Sequence, residues 1–163
     1  MYAEKIDAPN WLKWTLLLGL VMIISTMGAR IGSGNIGGTE DSVVWIAALV
    51  SGTALLFVYW NFLTLEVTVT DGNFTFAYGL VRHTVVISEI ESLETGVYQW
   101  ARYGGWGYSR GPAGRRAWNI PGMKAGVIVV LEESGKRREY FISSRHPLEL
   151  EKAIRMGITK HNQ

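Results

Sequence analysis

The chain has no cysteine in its 163 residues. That absence excludes disulfides, thiolate nucleophiles and cysteine metal ligands together, and it leaves the redox compartment undecided. An excess of one charge is also nearly absent, because the formal net charge is +2, so no general attraction to a polyanion is expected. No charged residue occurs between Val43 and Leu65. That uncharged stretch is the strongest signal in the sequence.

The uncharged stretch at residues 43–63 predicts a membrane-spanning helix. A helix needs about 20 mostly apolar residues to cross the hydrocarbon core. Its Val, Ile, Leu and Phe side chains contribute about −3 to −7 kcal/mol of insertion free energy, and no central charge opposes them. Trp45, Tyr59 and Trp60 lie near its ends, where aromatic belts form. The alternative is a buried helix of a soluble protein. A chain this short has too small a core to bury an apolar helix of this length.

A second apolar segment lies earlier, at residues 11–29. Lys13 sits one turn inside it and can extend its ammonium group to the interface beside Trp11 and Trp14. The Leu, Ile and Val side chains of this segment contribute about −2 to −4 kcal/mol to insertion. A cleaved signal peptide is the alternative, but no clean small-x-small site follows the apolar run. The sequence therefore predicts two spans, residues 11–29 and 43–63, joined by a loop over residues 30–42.

The loop contains Gly32-x-Gly34-x-x-Gly37, which formally matches a dinucleotide-binding fingerprint. That fingerprint requires a preceding strand and a following helix within a βαβ unit, so we interpret these glycines as loop flexibility. The next three residues, Glu40, Asp41 and Ser42, are typical of the cap and first turn of a helix.

Basic residues predict how the two spans are oriented. Lys5 and Lys13 lie at the N-terminal end, Arg30 alone lies in the loop, and the other 13 basic residues follow the second span. The positive-inside rule then places both termini in the cytoplasm and the loop outside. We predict a multi-pass protein of the inner or plasma membrane, with residues 1–10 as a short cytoplasmic tail.

After the second span the hydrophobic period changes to two. Apolar and polar residues alternate over residues 64–70 and 74–78, and the Asp71-Gly72-Asn73 turn signal between them predicts a β-hairpin. Further strands are predicted at residues 83–87, 93–100, 117–120, 126–132 and 138–143, with a turn at Ser134-Gly135 and a glycine-rich excursion over residues 101–116.

A C-terminal amphipathic helix is predicted to begin at Pro147, with Glu149 in its first turn. Its apolar stripe comprises Leu150, Ala153, Ile154, Gly157 and Ile158. About seven short strands followed by this helix predict a membrane-anchored α+β protein. Its domain over residues 64–163 is predicted to be a small antiparallel barrel or bent sandwich plugged by the helix.

Several pieces of this domain resemble a known family. They are an L-x-V-x-V-x-D-G stretch within Leu65–Gly79, a Gly-Gly-Trp-Gly-Tyr box at Gly104–Tyr108, the hairpin at Gly126–Phe141 and a proline-led helix at Pro147–Ile154. With two membrane segments before them, they resemble the bacterial pleckstrin-homology-like (PH-like) membrane proteins. The resemblance implies seven strands capped by a C-terminal helix, in a family with many members of unassigned activity. Ser109 between Tyr108 and Arg110, and His146 before the proline, depart from the expected pattern.

The segment Thr95–Leu131 contains no Asp or Glu but is rich in arginine, glycine and aromatic residues. A basic residue near an anionic leaflet contributes about 1 kcal/mol, so a group of about four or five contributes roughly 4–5 kcal/mol. The segment must face the membrane for this attraction, which fades within about 8–10 Å at physiological salt. Tryptophan and tyrosine favour the same interface. The candidate lipid- or partner-binding residues are Arg102, Trp106, Tyr108, Arg110, Arg115 and Arg116.

Two other interpretations of this segment stay open. In the first it is structural, because its aromatics cover the barrel and its arginines pair with acids such as Glu89, Glu91 and Glu94. In the second it binds single-stranded nucleic acid through arginine and stacked aromatics. A tethered domain with 13 basic and 10 acidic residues over residues 64–163 disfavours the second, so no nucleic-acid partner is predicted. Charges near the last hairpin, Glu132-Glu133 and Lys136-Arg137-Arg138, are expected to be solvated.

Signatures of an enzyme are weak. None of His83, His146 and His161 has the i, i+4 partner of a zinc helix. Ser143-Ser144 near His146 lacks a G-x-S-x-G elbow, and helix capping explains it more simply. We predict no catalytic residue, no metal and no cofactor. A buried polar pocket with His83 or His146 beside a carboxylate would favour an enzyme instead.

The sequence as a whole predicts a non-enzymatic, membrane-anchored binding or scaffold module. A transmembrane helical hairpin would carry a cytoplasmic PH-like domain that engages anionic lipid headgroups, a membrane-protein partner or a second copy of the chain. The first alternative is an accessory structural subunit of a larger membrane complex. The second alternative is a membrane-tethered enzyme.

Overall fold

The computed structural model describes residues 1–33, 39–70, 72–133 and 135–161 of the chain. It divides into two compact units. We call the unit Pro9–Leu63 the helical hairpin. The other unit joins Met1–Ala8 to Thr64–Gln163, and we call it the β-domain.

The helical hairpin consists of α1 (Asn10–Gly32) and α2 (Thr39–Phe62). Both helices are long and apolar enough to cross a membrane, which confirms the two predicted apolar helices. At 23 and 24 residues, each is about 35 Å long, against a hydrocarbon core of about 30 Å. No residue of α1 is buried, and α2 exposes large side chains such as Ile46, Leu49 and Phe57.

The connection between the helices is shorter than the predicted loop over residues 30–42. α1 continues through Gly32, and α2 already begins at Thr39, so Asp41 and Ser42 lie inside its first turns. Nη1 of Arg30 lies 2.7 Å from Oδ1 of Asp41. Hydropathy marks only the apolar part of a span, whereas a helix continues into polar residues as long as its backbone hydrogen bonds are made.

Several predicted features lie outside the described residues. They are Gly34 and Gly37 of the glycine motif, the side chain of Glu40 in the predicted cap, Asp71 and Ser134 in the predicted turns, and the side chain of His161.

The predicted N-terminal tail is instead strand β1 (Tyr2–Asp7) of the β-domain. It pairs antiparallel with β2 (Thr64–Thr70) over six residues, from Tyr2↔Val69 to Asp7↔Thr64. Ile6 is fully buried, and the Thr64 hydroxyl donates a hydrogen bond to Asp7 at 2.8 Å. The sequence analysis missed this strand because it is short and its single deeply buried side chain leaves a weak pattern.

Strands β1 to β4 form a four-stranded antiparallel sheet in chain order, which we call sheet A. The predicted hairpin is confirmed, because β3 (Asn73–Tyr78) pairs with β2, and β4 (Val81–Val86) pairs with β3. The inward-facing side chains of β2 and β3 are buried, as their alternation predicted. Gly72 at φ +84° makes the first turn possible.

The remaining five strands form sheet B in the order β5-β8-β9-β7-β6. They are β5 (Ile90–Val97), β6 (Gly107–Arg110), β7 (Arg115–Asn119), β8 (Ala125–Glu133) and β9 (Lys136–Ser143). A single helical turn, α3 (Trp100–Tyr103), precedes β6. The C-terminal helix α4 (Pro147–His161) is confirmed.

Three features of the predicted domain fold are corrected. The described residues form nine strands rather than about seven, because β1 replaces the tail and β6 lies within the predicted excursion. The sheets are not wholly antiparallel, because β7 runs parallel to β9. The barrel is not closed, because the strands form two separate sheets.

The main core of the β-domain lies where aromatic side chains of the two sheets meet. The ring of Phe76 in sheet A lies 4.7 Å from that of Trp118 and 5.9 Å from that of Tyr140, both in sheet B. Helix α4 packs against β2, β5 and β8 and buries Leu150 and Ile154 completely. Burial of each such side chain contributes about 1.5–3 kcal/mol, so α4 is an integral part of this core.

Candidate functional site

The arginine-rich segment folds over the outer face of sheet B. There Tyr103, Ala117, Ile128 and Phe141 form a second small core, and Tyr98 packs against it. The Tyr98 hydroxyl donates a hydrogen bond to the backbone carbonyl of Gly105. The segment is therefore a packed layer with its own apolar centre.

A glycine fixes the close approach within this layer. A Cβ atom at Gly111 would lie 2.4 Å from the carbonyl oxygen of Arg102 and 3.0 Å from Cα of Tyr103. No side chain fits there without displacing α3, because backbone atoms cannot rotate away. Gly111 thus lets the chain just after β6 lie against α3.

The carboxylate of Glu139 anchors the layer to β9. Nη2 of Arg102 lies 2.6 Å from it, the Tyr103 hydroxyl donates to it at 2.5 Å, and Nε of Arg115 lies 3.6 Å away. The Glu139 side chain is only 16% exposed. Burial alone would raise the pKa of Glu139, but the hydrogen bonds from Arg102 and Tyr103 outweigh it and hold that pKa below its ordinary value.

A second carboxylate, Glu133, organises another cluster at the end of β8. Nε of Arg138 lies 2.6 Å from it and Nη1 of Arg116 lies 3.7 Å away. The Tyr140 hydroxyl donates to Glu133 at 2.9 Å, and Nη1 of Arg116 donates to the Tyr140 hydroxyl at 3.1 Å. Burial alone would raise the pKa of Glu133, but this hydrogen bond and the two arginines lower it. Glu133 is therefore a paired anion, not the solvated edge residue that the sequence predicted.

His83 borders the same cluster. Its ring stacks on those of Trp118 and Tyr140, at centroid distances of 5.7 and 5.1 Å, and Nε2 lies 4.0 Å from Glu133. Burial lowers the pKa of His83, and the nearby arginines lower it further, whereas Glu133 opposes the shift. His83 is therefore neutral at pH 7, and its main contacts are aromatic.

The pairing of His83 with a carboxylate is the arrangement that a tethered enzyme would need. A general base works best with a pKa near the operating pH. The pKa of Glu133 moves away from neutrality, because an arginine and a tyrosine already occupy its oxygens. The geometry is thus that of a structural ion-pair network rather than a poised acid–base pair.

Three of the six candidate binding residues are held in ion pairs. Arg102 and Arg115 contact Glu139, and Arg116 contacts Glu133. The structural interpretation expected such pairing, but with other acids, namely Glu89, Glu91 and Glu94. Of those three, Glu91 forms an ion pair with Arg137 at 3.4 Å.

Of the other three candidates, Trp106 and Arg110 are exposed, whereas Tyr108 is partly buried and its ring lies 4.5 Å from that of the buried Trp118. Nε of Arg110 donates to the Tyr108 hydroxyl at 2.8 Å and its guanidinium lies 5.4 Å from the centre of that ring. The ring of Trp106 packs edge-on against Trp100 at 5.5 Å, and these two side chains are 55% and 56% exposed. Sequence reasoning placed Trp100 at the end of a strand. Trp106 in the glycine-tryptophan box was the available signal, since tryptophan is enriched at interaction surfaces.

A polar groove lies beside the paired arginines. It has a volume of about 300 Å³ and is lined by Ala113, Arg115, Val130, Arg137, Arg138 and Glu139. Ala113 has φ +58° and is the one non-glycine residue of the described chain with a positive φ. Such backbone outliers concentrate at functional sites. Sequence reasoning missed this groove because its arginines come from two distant parts of the chain.

The serines near His146 have structural contacts. The Ser144 hydroxyl donates to Oε2 of Glu4 at 2.6 Å and accepts from the backbone N–H of His146 at 3.1 Å. The Ser143 hydroxyl donates to Oδ1 of Asn119 at 2.7 Å and is buried. These bonds join β1, β7 and the residues just before α4, and the His146 N–H that Ser144 accepts from lies before the helix begins at Pro147. In the described part of the chain, no group of three or more His, Asp or Glu side chains is placed to hold a metal ion.

No protein-family model, curated protein or solved structure matches this chain. The resemblance to the PH-like membrane proteins therefore stays a prediction.

Proposed function

We propose that the protein is a non-enzymatic, membrane-anchored binding module. Its helical hairpin crosses the membrane, and its β-domain engages anionic lipid headgroups or a membrane-protein partner from the cytoplasmic side. The observation that carries the binding role is the exposed pair Trp100 and Trp106 on a layer rich in arginine.

The character of α1 and α2 supports the anchor. A helix that is apolar on all sides needs an apolar environment on all sides. The β-domain has its own complete core, and large apolar side chains on both helices, such as Leu18 and Leu49, are exposed. A lipid bilayer provides the surroundings that such helices require.

The pairing of β1 with β2 supports a shared side for both termini. The six-residue ladder joins the chain just before α1 to the chain just after α2. Strands on opposite sides of a bilayer cannot form such a ladder, so two crossing helices must return to the side from which they started. Arg30 is the one basic residue between Lys13 and Arg82, which favours the cytoplasm for the β-domain.

The exposed tryptophans suit the membrane interface. Tryptophan presents an apolar body and a polar N–H group, which is why it concentrates at the level of the headgroups. Arg110 lies exposed on the same layer, and a cation close to an anionic surface adds about 1 kcal/mol. Together these side chains provide apolar insertion and charge attraction from one layer.

Environment-sensitive fluorescence tests this role directly. Because the chain has no cysteine, Ala101→Cys places one label beside the two tryptophans without removing either. In full-length protein in nanodiscs, we expect the emission to shift to the blue when phosphatidylglycerol replaces phosphatidylcholine. The same label at Leu148→Cys, a 73% exposed site on α4, is the control and should not shift. Lipid engagement is contradicted if the Ala101→Cys label emits equally in both lipids and if Trp100→Ala and Trp106→Ala leave that emission unchanged.

A second candidate function is that of an accessory subunit of a larger membrane complex. The observation that favours it is an apolar groove of about 490 Å³ between α1 and α2. Gly28 and Gly52 line this groove, and a Cβ atom at either would meet no atom within 4 Å. Small residues let another transmembrane helix approach closely.

Co-purification separates this candidate from the first. Gly28→Leu and Gly52→Leu fill the groove without a change of charge, so a partner helix seated there should be lost from the detergent extract. Leu18→Val alters an exposed apolar side chain that does not line this groove and should retain the partner. If no stoichiometric partner accompanies the unaltered chain, the accessory role is wrong.

A further inference from the structure

We propose that the groove beside β9 binds a phosphate monoester in its dianionic form. Arg115 from β7 and Arg137 and Arg138 from β9 line it, and Glu139 is the one carboxylate among its lining residues. A lipid headgroup and a soluble phosphate ester both present this chemistry. The lipid version rests on the membrane engagement proposed above, whereas the soluble version does not.

The residues that line the groove carry an excess of positive charge. They include three arginines, Arg115, Arg137 and Arg138, and one glutamate, Glu139. The excess is therefore two positive charges. A dianion would neutralise it, while a carboxylate or a phosphodiester would supply only one negative charge.

Two of the arginines that line the groove retain unused donors. Both contact glutamate through Nε: Arg115 with Glu139 and Arg137 with Glu91. A guanidinium group has five N–H donors, and Nε carries only one of them. The glutamates therefore fix the positions of the guanidinium groups and leave donors for a further acceptor. Arginine forks match the spacing of phosphate oxygens.

The shape of the groove suits one phosphoryl group. Its volume of about 300 Å³ corresponds to about ten water molecules, enough for a phosphate and part of its ester. Ala113 and Gly114 border it with consecutive positive φ values of 58° and 76°. Alanine rarely adopts this conformation, and the β-domain maintains it at the rim of a cationic groove.

Calorimetric titration of the full-length protein in phosphatidylcholine nanodiscs tests the site. The probes are glycerol 3-phosphate, a monoester, and glycerophosphoglycerol, a diester. We expect saturable binding of the monoester and binding of the diester about tenfold weaker or undetectable, because the diester carries half the charge. Equal affinity for the two probes, or no saturable binding of the monoester, overturns the proposal.

A pair of matched variants ties the binding to the groove. Arg115→Gln with Arg137→Gln removes two lining cations and should weaken monoester binding about tenfold or more. Arg82→Gln with Arg145→Gln removes the same net charge from exposed positions elsewhere and should leave the affinity unchanged. If Arg115→Gln unfolds the layer, Arg137→Gln alone, at a 73% exposed side chain, is the informative variant. Loss of affinity that is equal in the groove and control variants also contradicts the site.

The lipid composition of the nanodisc identifies the source of the phosphate. Phosphatidic acid presents a monoester headgroup and phosphatidylglycerol presents a diester. If the headgroup is the ligand, phosphatidic acid should weaken the apparent affinity for glycerol 3-phosphate and phosphatidylglycerol should not. If neither lipid competes, the ligand is a soluble monoester, and the groove then stands without the lipid function. If the Ala101→Cys label shifts to the blue but no monoester binds, the membrane function is supported and the phosphate-binding proposal is overturned.

Discussion

Two glutamates form ion pairs with most of the arginines in the layer. Glu139 and Glu133 each hold two arginines through contacts of 2.6 to 3.7 Å. Arginine side chains near an apolar surface are costly to leave unpaired, so these carboxylates let a cationic segment pack onto a sheet. The segment thereby combines a structural role with an excess charge at its edge.

The pairings could not be read from the sequence. Arg115 lies directly opposite Glu139, and Arg116 opposite Tyr140, because β7 and β9 run parallel. A parallel pair between strands distant in sequence leaves no periodic signal, so acids nearer in sequence such as Glu91 seemed the natural partners. The residue types of the site were predictable, but their partners required the register.

Replacement of Glu139 tests its structural role. Glu139→Gln removes the charge that Arg102 and Arg115 share, and charge-assisted hydrogen bonds contribute about 1.5–3 kcal/mol. We expect the free energy of unfolding to fall by about that amount in chemical denaturation of the detergent-solubilised chain. Glu132→Gln, at an exposed position on the same hairpin, is the control. Equal stability of the two variants shows that the Glu139 ion pairs contribute nothing.

His83 should make stability depend on pH. Burial lowers its pKa in the folded state, so the unfolded chain binds more protons once the pH falls to the ordinary histidine pKa of about 6.5. Stability is therefore complete above that pH and is lost as the pH falls below it towards the folded pKa. Lowered pKa values of Glu133 and Glu139 remove stability in a separate, more acidic range.

Melting temperatures of the wild type and His83→Gln between pH 8 and pH 5.5 measure this effect. The wild type should keep its stability from pH 8 to about 6.5 and lose it as the pH falls through the lower part of that range, and the variant should show a flatter profile. A variant that is less stable at every pH but has an unchanged slope contradicts the assignment.

At the scale of elements, the glycine-rich segment is ordered by packing rather than by regular structure. The sequence predicted an excursion over residues 101–116, whereas the structure has α3 and β6 there. Four-residue elements give no periodicity that can be measured. By contrast the hairpin of β2 and β3 and helix α4 have long regular patterns, and both were predicted.

Two glycines of this segment provide a matched test of its packing. Gly111→Ala would place Cβ 2.4 Å from a backbone oxygen of α3, whereas Gly105→Ala meets only Cβ of Ser109, at 3.9 Å. Overpacking costs about 1–3 kcal/mol, so Gly111→Ala should lower the free energy of unfolding by that amount. Gly105→Ala should be nearly neutral. If both are neutral, the segment does not hold this close packing in solution.

Strand β1 shows how a short element escapes sequence analysis. Six residues with one fully buried side chain look like a polar tail until a partner strand is known. Glu4 adds to the role of β1, because it accepts hydrogen bonds from Ser144 and from the backbone N–H of Arg145. These contacts link the first residues of the chain to the start of α4.

The burial of Ile6 makes the contribution of β1 measurable. Ile6→Ala should destabilise the protein by about 2–5 kcal/mol, because it removes a completely buried side chain from the core. Ala3→Ser, at an exposed position of the same strand, should have little effect. Equal, small effects in a denaturant titration would mean that residues 1–8 are a loose tail after all.

At the scale of the whole molecule, the chain divides into an apolar helical hairpin and a β-domain with its own core. The two apolar runs predicted the helices by their length and composition, and the alternating run predicted the core strands by its period of two. The return of the N-terminal strand to the β-domain was not predictable, since it depends on a pairing across more than fifty residues.

Single-cysteine labelling in sealed membrane vesicles tests this arrangement most directly. Ser33→Cys lies between the helices, Ala3→Cys lies on β1 and Leu148→Cys lies on α4, and all three positions are exposed. With a membrane-impermeant maleimide, we predict that Ala3→Cys and Leu148→Cys react from the same side and Ser33→Cys only from the other. Labelling of all three from one side, or of Ala3→Cys and Leu148→Cys from opposite sides, contradicts a membrane hairpin closed by the β1–β2 ladder.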